Sequence, residues 1–364
     1  MLKKVSLTAI ALCSLYVGFS QDSTAEKPKP IISGSIDAYY RFNFQNAKDE
    51  GHTNNYTSFT NSQNSFELGM ASVKIDYTVG KITGVLDLGF GKRAEEFSYT
   101  DVKTVLDGNG DPTTAPTLLA AVKQGYVSYS PSDKVKLTMG KWATHIGYEL
   151  LDPQLNRNYS MSYMFSYGPF SHTGLKADFV LSSHFGAMVG IANPTDYASF
   201  SFAKKFGIAQ ISTTFDKISA YLNWVGGKDM GDNVTHQFGL TAVGKVSDKF
   251  SIGYDGTVKM VKPSGGSSDS WWGSALYLNF DPSSVFGLTV RGEYFDDKKG
   301  VAGFGTSLFD ATLSLDIKPT EYLTIIPEFR LDSSKDPLFY KNSDIGIPSE
   351  KSTGTFLLAA IVHF

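Results

Sequence analysis

Apolar and polar residues alternate one by one along several segments of this chain. In the segment 309–317, the apolar residues Phe309, Ala311, Leu313, Leu315 and Ile317 are interleaved with Asp310, Thr312, Ser314 and Asp316. The same alternation runs through 32–42, 251–260, 286–296, 323–332 and 353–364. Successive side chains of a β-strand point to opposite faces, so a period of two predicts a strand with one apolar and one polar face.

Turn-forming residues divide the chain into strands joined by connections of two lengths. Tight turns are predicted near 79–81, 131–133, 182–183, 216–217, 247–249, 281–284 and 319–321. Long loops are predicted near 45–64, 92–120, 145–171, 193–202, 227–233, 262–269, 297–305 and 333–352. Seven turns and eight loops join sixteen strands, and the poorly punctuated stretch 193–216 leaves a range of 14 to 18. In the second strand the apolar face changes near Ala71 and Ser72, which predicts a β-bulge.

The last predicted strand ends on an aromatic residue at the C-terminus. Its outward positions are Phe356, Leu358, Ala360, Val362 and Phe364. This ending resembles the signal that the outer-membrane barrel assembly machinery reads in bacteria. Since lipid cannot satisfy an open sheet edge, such strands must close. We therefore predict an all-β, transmembrane, antiparallel up-and-down barrel over 31–364, with short periplasmic turns and long extracellular loops. A soluble β-sandwich rich in aromatic residues is the alternative.

The N-terminal residues predict export. Residues 1–20 begin with Lys3 and Lys4, continue through an apolar stretch and end on small residues, which is typical of a secretory signal peptide. Residues 21–30 are polar and contain proline, and we interpret them as a periplasmic tether. The single cysteine, Cys13, lies inside the predicted signal peptide, so no disulfide or thiolate chemistry is expected in the barrel.

Composition excludes two classes of protein. The 33 basic and 36 acidic residues give a net charge of −3, which disfavours nucleic acid as a partner because phosphate binding needs a basic surface. After residue 20, no apolar run is long enough for a transmembrane helix. One continuous β-domain is the simpler interpretation of the remaining chain.

The segment 140–174 is dense in glycine, aromatic residues and asparagine. It contains Gly140-Lys141-Trp142, Gly147-Tyr148-Glu149, residues 156–159, Ser162-Tyr163, Gly168-Pro169-Phe170 and His172-Thr173-Gly174. This run resembles the OmpL-like β-barrel porins, the family called putative β-barrel porin-2. The likeness covers most of the chain in layout, and this segment is its motif-specific part. The resemblance implies an outer-membrane barrel that acts as a channel, and it supplies no catalytic residues.

Charged residues at inward positions are the candidates for lining a pore. They are Asp37, Arg41, Asp87, Asp255, Lys259, Arg291, Glu293, Asp310, Asp316, Glu328, Arg330 and Asp332. Eight acids against four bases predict a mild preference for cations. Alternatively, Arg291 pairs with Glu293, and Glu328 with Arg330, so that these charges contribute little field.

The long loop 145–171 is a candidate constriction, because a long ordered loop is often functional and the lumen of a sixteen-stranded barrel is wide. If it folds inward, Glu149, Asp152 and Arg157 would place opposed charges in the pore. The alternative is a loop that packs on the outer rim.

We therefore expect a channel for passive diffusion of small hydrophilic solutes in the outer membrane. The alternative is a plugged structural or binding barrel, part of a larger envelope complex. No enzyme is expected, since the neighbours Ser171 and His172 point to opposite faces of a strand. The six histidines show no metal-ligand spacing, and no cofactor is expected. The solute, and whether the chain forms a homo-oligomer, stay open.

Overall fold

The structure is a computed structural model that describes residues 28–45, 50–109, 111–229, 231–342 and 346–364. The predicted signal peptide, residues 1–20, lies outside the described residues, and so does most of the predicted tether.

Eighteen β-strands account for most of the described chain. They are β1 (Ile31–Asn43), β2 (Ser65–Val79), β3 (Ile82–Phe90), β4 (Val102–Leu106), β5 (Pro112–Pro116), β6 (Val122–Ser132), β7 (Val135–Ala143), β8 (Ser171–Val180), β9 (Phe185–Ala192), β10 (Phe206–Phe215), β11 (Ile218–Lys228), β12 (Val234–Lys245), β13 (Phe250–Lys262), β14 (Asp269–Phe280), β15 (Phe286–Asp296), β16 (Ser307–Thr320), β17 (Leu323–Ser334) and β18 (Ser352–His363). Sixteen of them form one closed barrel, while β4 and β5 pair separately as a hairpin within a loop. The predicted sixteen-stranded barrel is confirmed.

Every neighbouring pair in the barrel is antiparallel, and the first and last strands close it. Ile36 lies opposite Val362, and the backbones of Gly34 and Phe364 exchange hydrogen bonds of 3.1 and 3.0 Å. The predicted bulge in β2 exists but lies slightly earlier than expected. Asp37 pairs with Met70 and Ala38 with Leu68, which leaves Gly69 as the extra residue.

The barrel is apolar outside and polar inside. On β16, Leu313 is 48% exposed on the outer face, whereas its neighbour Ser314 is completely buried on the inner face. The outward residues predicted for β1, β13, β15, β16, β17 and β18 lie on the outer face as expected. An apolar outer wall matches a hydrocarbon surrounding, so the barrel is built to be surrounded by lipid.

The seven predicted turns lie at one end of the barrel, named here the turn end, and the eight long loops lie at the other, the loop end. Short helices occur only in the loops of the described chain. They are α1 (Lys92–Phe97), α2 (Tyr163–Ser166) and the 3₁₀ turns Glu50–His52, Leu118–Ala121 and Pro153–Leu155. None of the helices among the described residues is long and apolar enough to cross a membrane.

The loop between β7 and β8, residues 144–170, folds into the barrel and is named the inner loop. Its helix α2 starts at Ser162, whose hydroxyl accepts a hydrogen bond from the Phe165 N–H at 3.1 Å. An apolar core joins the inner loop to α1 and to the loop after β1. Its members are Phe59, Met70, Ala94, Phe97, Leu151, Met161, Phe165 and Phe170. The inner loop is therefore an ordered part of the fold, and the alternative of a loop on the outer rim is wrong.

Candidate functional site

The inner loop crosses the lumen and is held by charged residues of the wall. Arg291 on β15 is completely buried and binds Glu149 of the inner loop at 2.7 Å. The same guanidinium pairs with Asp310 on β16 at 2.8 Å and donates to the Ser160 carbonyl at 2.8 Å. The Tyr277 hydroxyl donates to Glu149 as well, at 3.1 Å. Arg291 therefore joins two strands of the wall to two points of the inner loop.

Two buried glutamates of the wall accept hydrogen bonds from the backbone of the inner loop. Glu293 accepts from the N–H groups of Tyr163 and Met164, at 2.7 and 2.8 Å, where α2 begins. Glu328 on β17 accepts from the N–H groups of Tyr159 and Ser160, at 2.8 and 3.1 Å. Each carboxylate satisfies two backbone donors that would otherwise be buried without partners.

Tyrosine hydroxyls and one arginine extend these contacts towards β1 and β17. The Tyr159 hydroxyl donates to Asp37, and the Tyr163 hydroxyl donates to Asp332 at 2.8 Å. Arg330 donates to the Met161 carbonyl at 2.6 Å and pairs with Asp332 at 2.7 Å.

The other predicted pore-lining residues also lie on the inner face of the barrel. Arg41 donates to the carbonyls of Ser62 and Thr53, and Asp87 pairs with Lys123 at 3.0 Å. Asp255 accepts from the Tyr148 N–H at 3.0 Å, Asp316 lies 3.7 Å from Arg157, and Lys259 donates to the Tyr167 carbonyl at 3.4 Å. All eight acids of the predicted set thus have hydrogen-bond or ion-pair partners.

The three predicted constriction residues are all inside the barrel but point to different parts of its wall. Glu149 binds Arg291, Asp152 pairs with Lys123 on β6, and Arg157 binds Asp281 at 2.6 Å. The structure does not bring them together as one ring of opposed charges.

These contacts define a charged side of the lumen, formed by the inward faces of β13–β18, β1 and β3. The opposite, uncharged side is formed by β9–β12. Those four strands contain no acid, and their only lysines are the final residues Lys228 and Lys245. The sequence analysis missed this side because it searched for charges, although the run of four strands without internal charge is visible in the sequence.

Three amide side chains lie on the inner face of the uncharged side. Asn223 on β11 lies directly opposite Gln210 on β10, and Gln237 on β12 lies two residues nearer the loop end. Gln237 and Asn223 are only 2% and 1% exposed, yet their amide nitrogens have no hydrogen-bond partner among the described residues. The Gln210 amide nitrogen donates to the Asn223 carbonyl oxygen at 2.7 Å. We name these three residues the amide ladder.

Two cavities adjoin the ends of the amide ladder. The outer chamber, of about 420 Å³, opens towards the loop end and includes Gln237, Lys259, Asp196, Tyr99 and Tyr167 in its lining. The inner chamber, of about 490 Å³, lies near the turn end and includes Gln210, Ser212, Lys136, Asp178 and Met188.

An apolar cluster lies between the two chambers. Its members are Trp142, Ile146, Met188, Phe206, Ile208 and Val225. Phe206 and Val225 also line the outer chamber, and Met188 lines the inner one, so the cluster borders both. Ile146 comes from the inner loop and lies over Gly239, where its Cγ2 is 3.4 Å from the place that a Cβ would occupy. Because Gly239 pairs with Asn223, Ile146 narrows the lumen at the level of that amide.

Two histidines adjoin this cluster. The rings of His145 and His172 lie 5.1 Å apart; His145 is bonded to the Trp224 carbonyl at 3.0 Å and His172 to Thr144 at 3.2 Å. Burial lowers the pKa of His145, on the inner loop, to about 4, so this imidazole is neutral at neutral pH.

No catalytic or metal arrangement is formed by the described residues. The Ser171 hydroxyl has no hydrogen-bond partner among them, and His172 contacts Thr144 instead of Ser171. In the described ranges, no group of three or more His, Cys, Asp or Glu side chains is placed to hold a metal ion.

A closed sixteen-stranded barrel with an apolar outer wall, a polar lumen and an inward-folded loop defines the class of porin-like integral outer-membrane proteins. Within that class, the family model described as "Putative beta-barrel porin-2, OmpL-like" matches residues 31–364, and the chain belongs to this family. The resemblance seen in the sequence is confirmed. Barrels of this kind are typically not enzymes.

Solved structures show the same fold at low sequence identity. An anion-selective porin from Comamonas acidovorans superposes with a TM-score of 0.60 and 11% identity, over 92% of this chain and 99% of that one. An OmpT variant lacking loop L8, from Vibrio cholerae, superposes with a TM-score of 0.59 and 12% identity, over 92% of this chain and 99% of that one. The outer-membrane channel DcaP of Acinetobacter baumannii superposes with a TM-score of 0.58 and 12% identity, over 92% of this chain and 97% of that one. A comparison with curated protein sequences found no match.

Proposed function

We propose that this protein is a channel for passive diffusion of small hydrophilic solutes across the outer membrane. The observation that supports it most is the position of the inner loop. Charged wall residues hold this loop across the lumen, and the outer and inner chambers both border β10 on the uncharged side. The route would run from the outer chamber, past Ile146 and the amide ladder, to the inner chamber.

The chambers suit solutes of modest size. Their volumes of about 420 and 490 Å³ lie at the lower end of the range for small-molecule sites. Passive diffusion requires binding that is weak enough for the solute to leave, and no deep site of converging charges interrupts the described route.

Charge selectivity is the finer part of the proposal. The mild cation preference predicted from the sequence depends on eight inward acids exerting their charge on the solute. Those acids accept hydrogen bonds or pair with cations, and most face the inner loop, as Glu293 and Glu328 do. The cation preference stays a prediction, and a reversal potential measured in a salt gradient tests it.

The test of the channel is single-channel recording of refolded protein in planar bilayers, together with swelling of liposomes in small uncharged solutes. We expect discrete conductance steps and measurable swelling. A protein that is folded, as shown by a heat-modifiable band on gels, and yet produces neither steps nor swelling would contradict the proposal.

One observation favours the plugged structural or binding barrel as a second candidate. The apolar cluster separates the two chambers, and such a cluster can exclude water from a narrow lumen. Persistent silence of the folded barrel, together with a partner that co-purifies from membranes, would support this candidate. A homo-oligomer or a larger envelope complex stays within the proposal.

We also propose that the barrel assembly machinery reads the final strand. Phe364 follows β18 directly, is 61% exposed and lies beside Gly34 at the closing seam of the barrel. Phe364→Ala should lower the amount of barrel in the outer membrane, measured in membrane fractions. An unchanged amount would contradict this role.

A further inference from the structure

Resting on the proposed channel function, we infer that the passage between the two chambers selects small uncharged polar solutes over ions of either sign. The passage would run between Ile146 of the inner loop and the wall of β9–β12, where the amide ladder and the apolar residues Phe206, Ile208 and Val225 share the inner face.

The region between the two chambers carries no net charge. Strands β9–β12 place no charged side chain between the chambers. On β8 the passage is bordered by Lys176 and Asp178, whose charges lie 3.4 Å apart and cancel at a distance. Lys176 also lies over the ring of Trp142, 5.5 Å from its centre. Lys259 lines the outer chamber, before the passage begins.

The apolar cluster makes it costly for an ion to pass, because the ion must give up water. Ile146, Met188, Phe206, Ile208 and Val225 are all buried apolar side chains. An ion that passes them loses hydration, and the passage offers no opposite charge to compensate. A monovalent ion of either sign loses hydration at this cluster, so the passage discriminates against charge itself.

Unpartnered amide and hydroxyl groups can replace some of the hydrogen bonds that a solute makes with water. The amide nitrogens of Gln237 and Asn223 are buried and have no partner among the described residues, so each would gain a hydrogen bond from an acceptor on a solute that enters. The Thr241 hydroxyl on β12 is also unpartnered there. Amides and hydroxyls both donate and accept, as do the groups of a polyol, a small sugar or a urea-like solute. A neutral polar solute can therefore exchange hydrogen bonds with the wall as it moves.

The test compares permeation of solutes matched in size. Liposomes that contain the refolded protein are challenged with glycerol and erythritol, and with the salts of glycerate and of a small aminoalcohol. We expect the neutral solutes to enter about tenfold faster or more than the charged ones, with a reversal potential near zero in a potassium chloride gradient. Equal rates for charged and neutral solutes would overturn the inference while leaving the channel function standing. Entry of no solute at all would overturn both.

Two substitutions test whether the passage sets this selectivity. Asn223→Asp places one negative charge beside the passage and should move the reversal potential to the cation side. Asp178→Asn, at a more exposed position, leaves Lys176 without its partner and should move the reversal potential to the anion side. The matched control is Asn279→Asp on β14, because Asn279 also faces inward but hydrogen-bonds to Thr289 and Ser251, away from the passage. Reversal potentials that stay near zero in both passage variants, or that shift equally in the control, would contradict the inference.

Discussion

The two sides of the lumen differ in how their polar groups are satisfied. On the charged side, Arg291, Glu293 and Glu328 each bind the inner loop through several hydrogen bonds, and the loop is thereby fixed. On the uncharged side, Gln237 and Asn223 are just as buried, but their amide nitrogens lack protein partners. Buried charge is therefore used for holding the loop, whereas two neutral amides are left without a partner among the described residues.

This comparison explains why a count of inward charges is a poor guide to selectivity. A carboxylate that accepts two backbone N–H groups exerts less field on a passing solute than a free one. The side of the lumen with most charge is also the side that the inner loop covers. A solute would meet the other side, where charge is scarce.

The largest effect is expected from removing Arg291, the central cation of the charged side. Arg291→Ala leaves Glu149 and Asp310 buried without their partner, and we expect a loss of about 3–5 kcal/mol in the free energy of unfolding. Release of the inner loop should also raise single-channel conductance. Both are measured on refolded protein, by denaturant titration and in bilayers.

Lys245→Ala is the control for Arg291→Ala, because the pair of Lys245 with Asp248 is exposed and such pairs contribute little. If the Arg291 variant keeps wild-type stability and conductance, Arg291 does not hold the inner loop.

The next largest effect is expected on the uncharged side. Ile146→Ala removes buried methyl groups from the apolar cluster between the chambers, and should cost about 2–4 kcal/mol while raising the rate of liposome swelling. Leu155→Ala is the matched control, since Leu155 is an exposed apolar residue of the same inner loop. Equal swelling of the Ile146 variant and the wild type would place the narrowest point elsewhere.

The free energy of unfolding should depend on pH through the neutral imidazole of His145. His145 faces His172, Lys176 and the Trp224 carbonyl, and its pKa in the folded state is about 4 against an ordinary value of 6.5. The unfolded chain therefore binds this proton first, so stability is complete above pH 6.5 and falls as the pH drops towards 4. The offset corresponds to about 3 kcal/mol or less.

The measurement is the unfolding free energy at several pH values between 4 and 7, for the wild type and for His145→Asn. We expect the pH slope to be smaller in the variant. The same slope in both proteins would mean that other groups cause the acid sensitivity.

The smallest effect is expected from a single hydroxyl of the charged side. Tyr159→Phe removes the donor to Asp37 but leaves the Met70 N–H bonded to the same carboxylate at 3.1 Å. We expect a loss of about 1–3 kcal/mol and no change in the charge selectivity of permeation. A changed selectivity would show that the two sides are coupled, which would end the simple division between them.

Much of the fold was predictable because each barrel strand carries a local alternation of apolar and polar residues. The alternation on β13, β15, β16 and β17 gave the inward and outward faces correctly, and turn residues gave the strand count. The bulge was predicted two residues late, since alternation locates a change of face only to within a residue or two. Gly69 is the residue that the pairing with β1 leaves over.

By itself the sequence determined the closed barrel, its lipid-facing surface and the family, because period-two alternation and turn chemistry act between near neighbours in the chain. The tertiary structure was needed to show which wall residues bind the inner loop and which stay without a partner among the described residues. Glu149 meets Arg291 across 142 residues of sequence, a contact that no local pattern around either residue marks. Alternation along a strand predicts that a polar side chain points into the barrel. Which group that side chain binds depends on the three-dimensional path of the inner loop, and the local sequence does not encode that path.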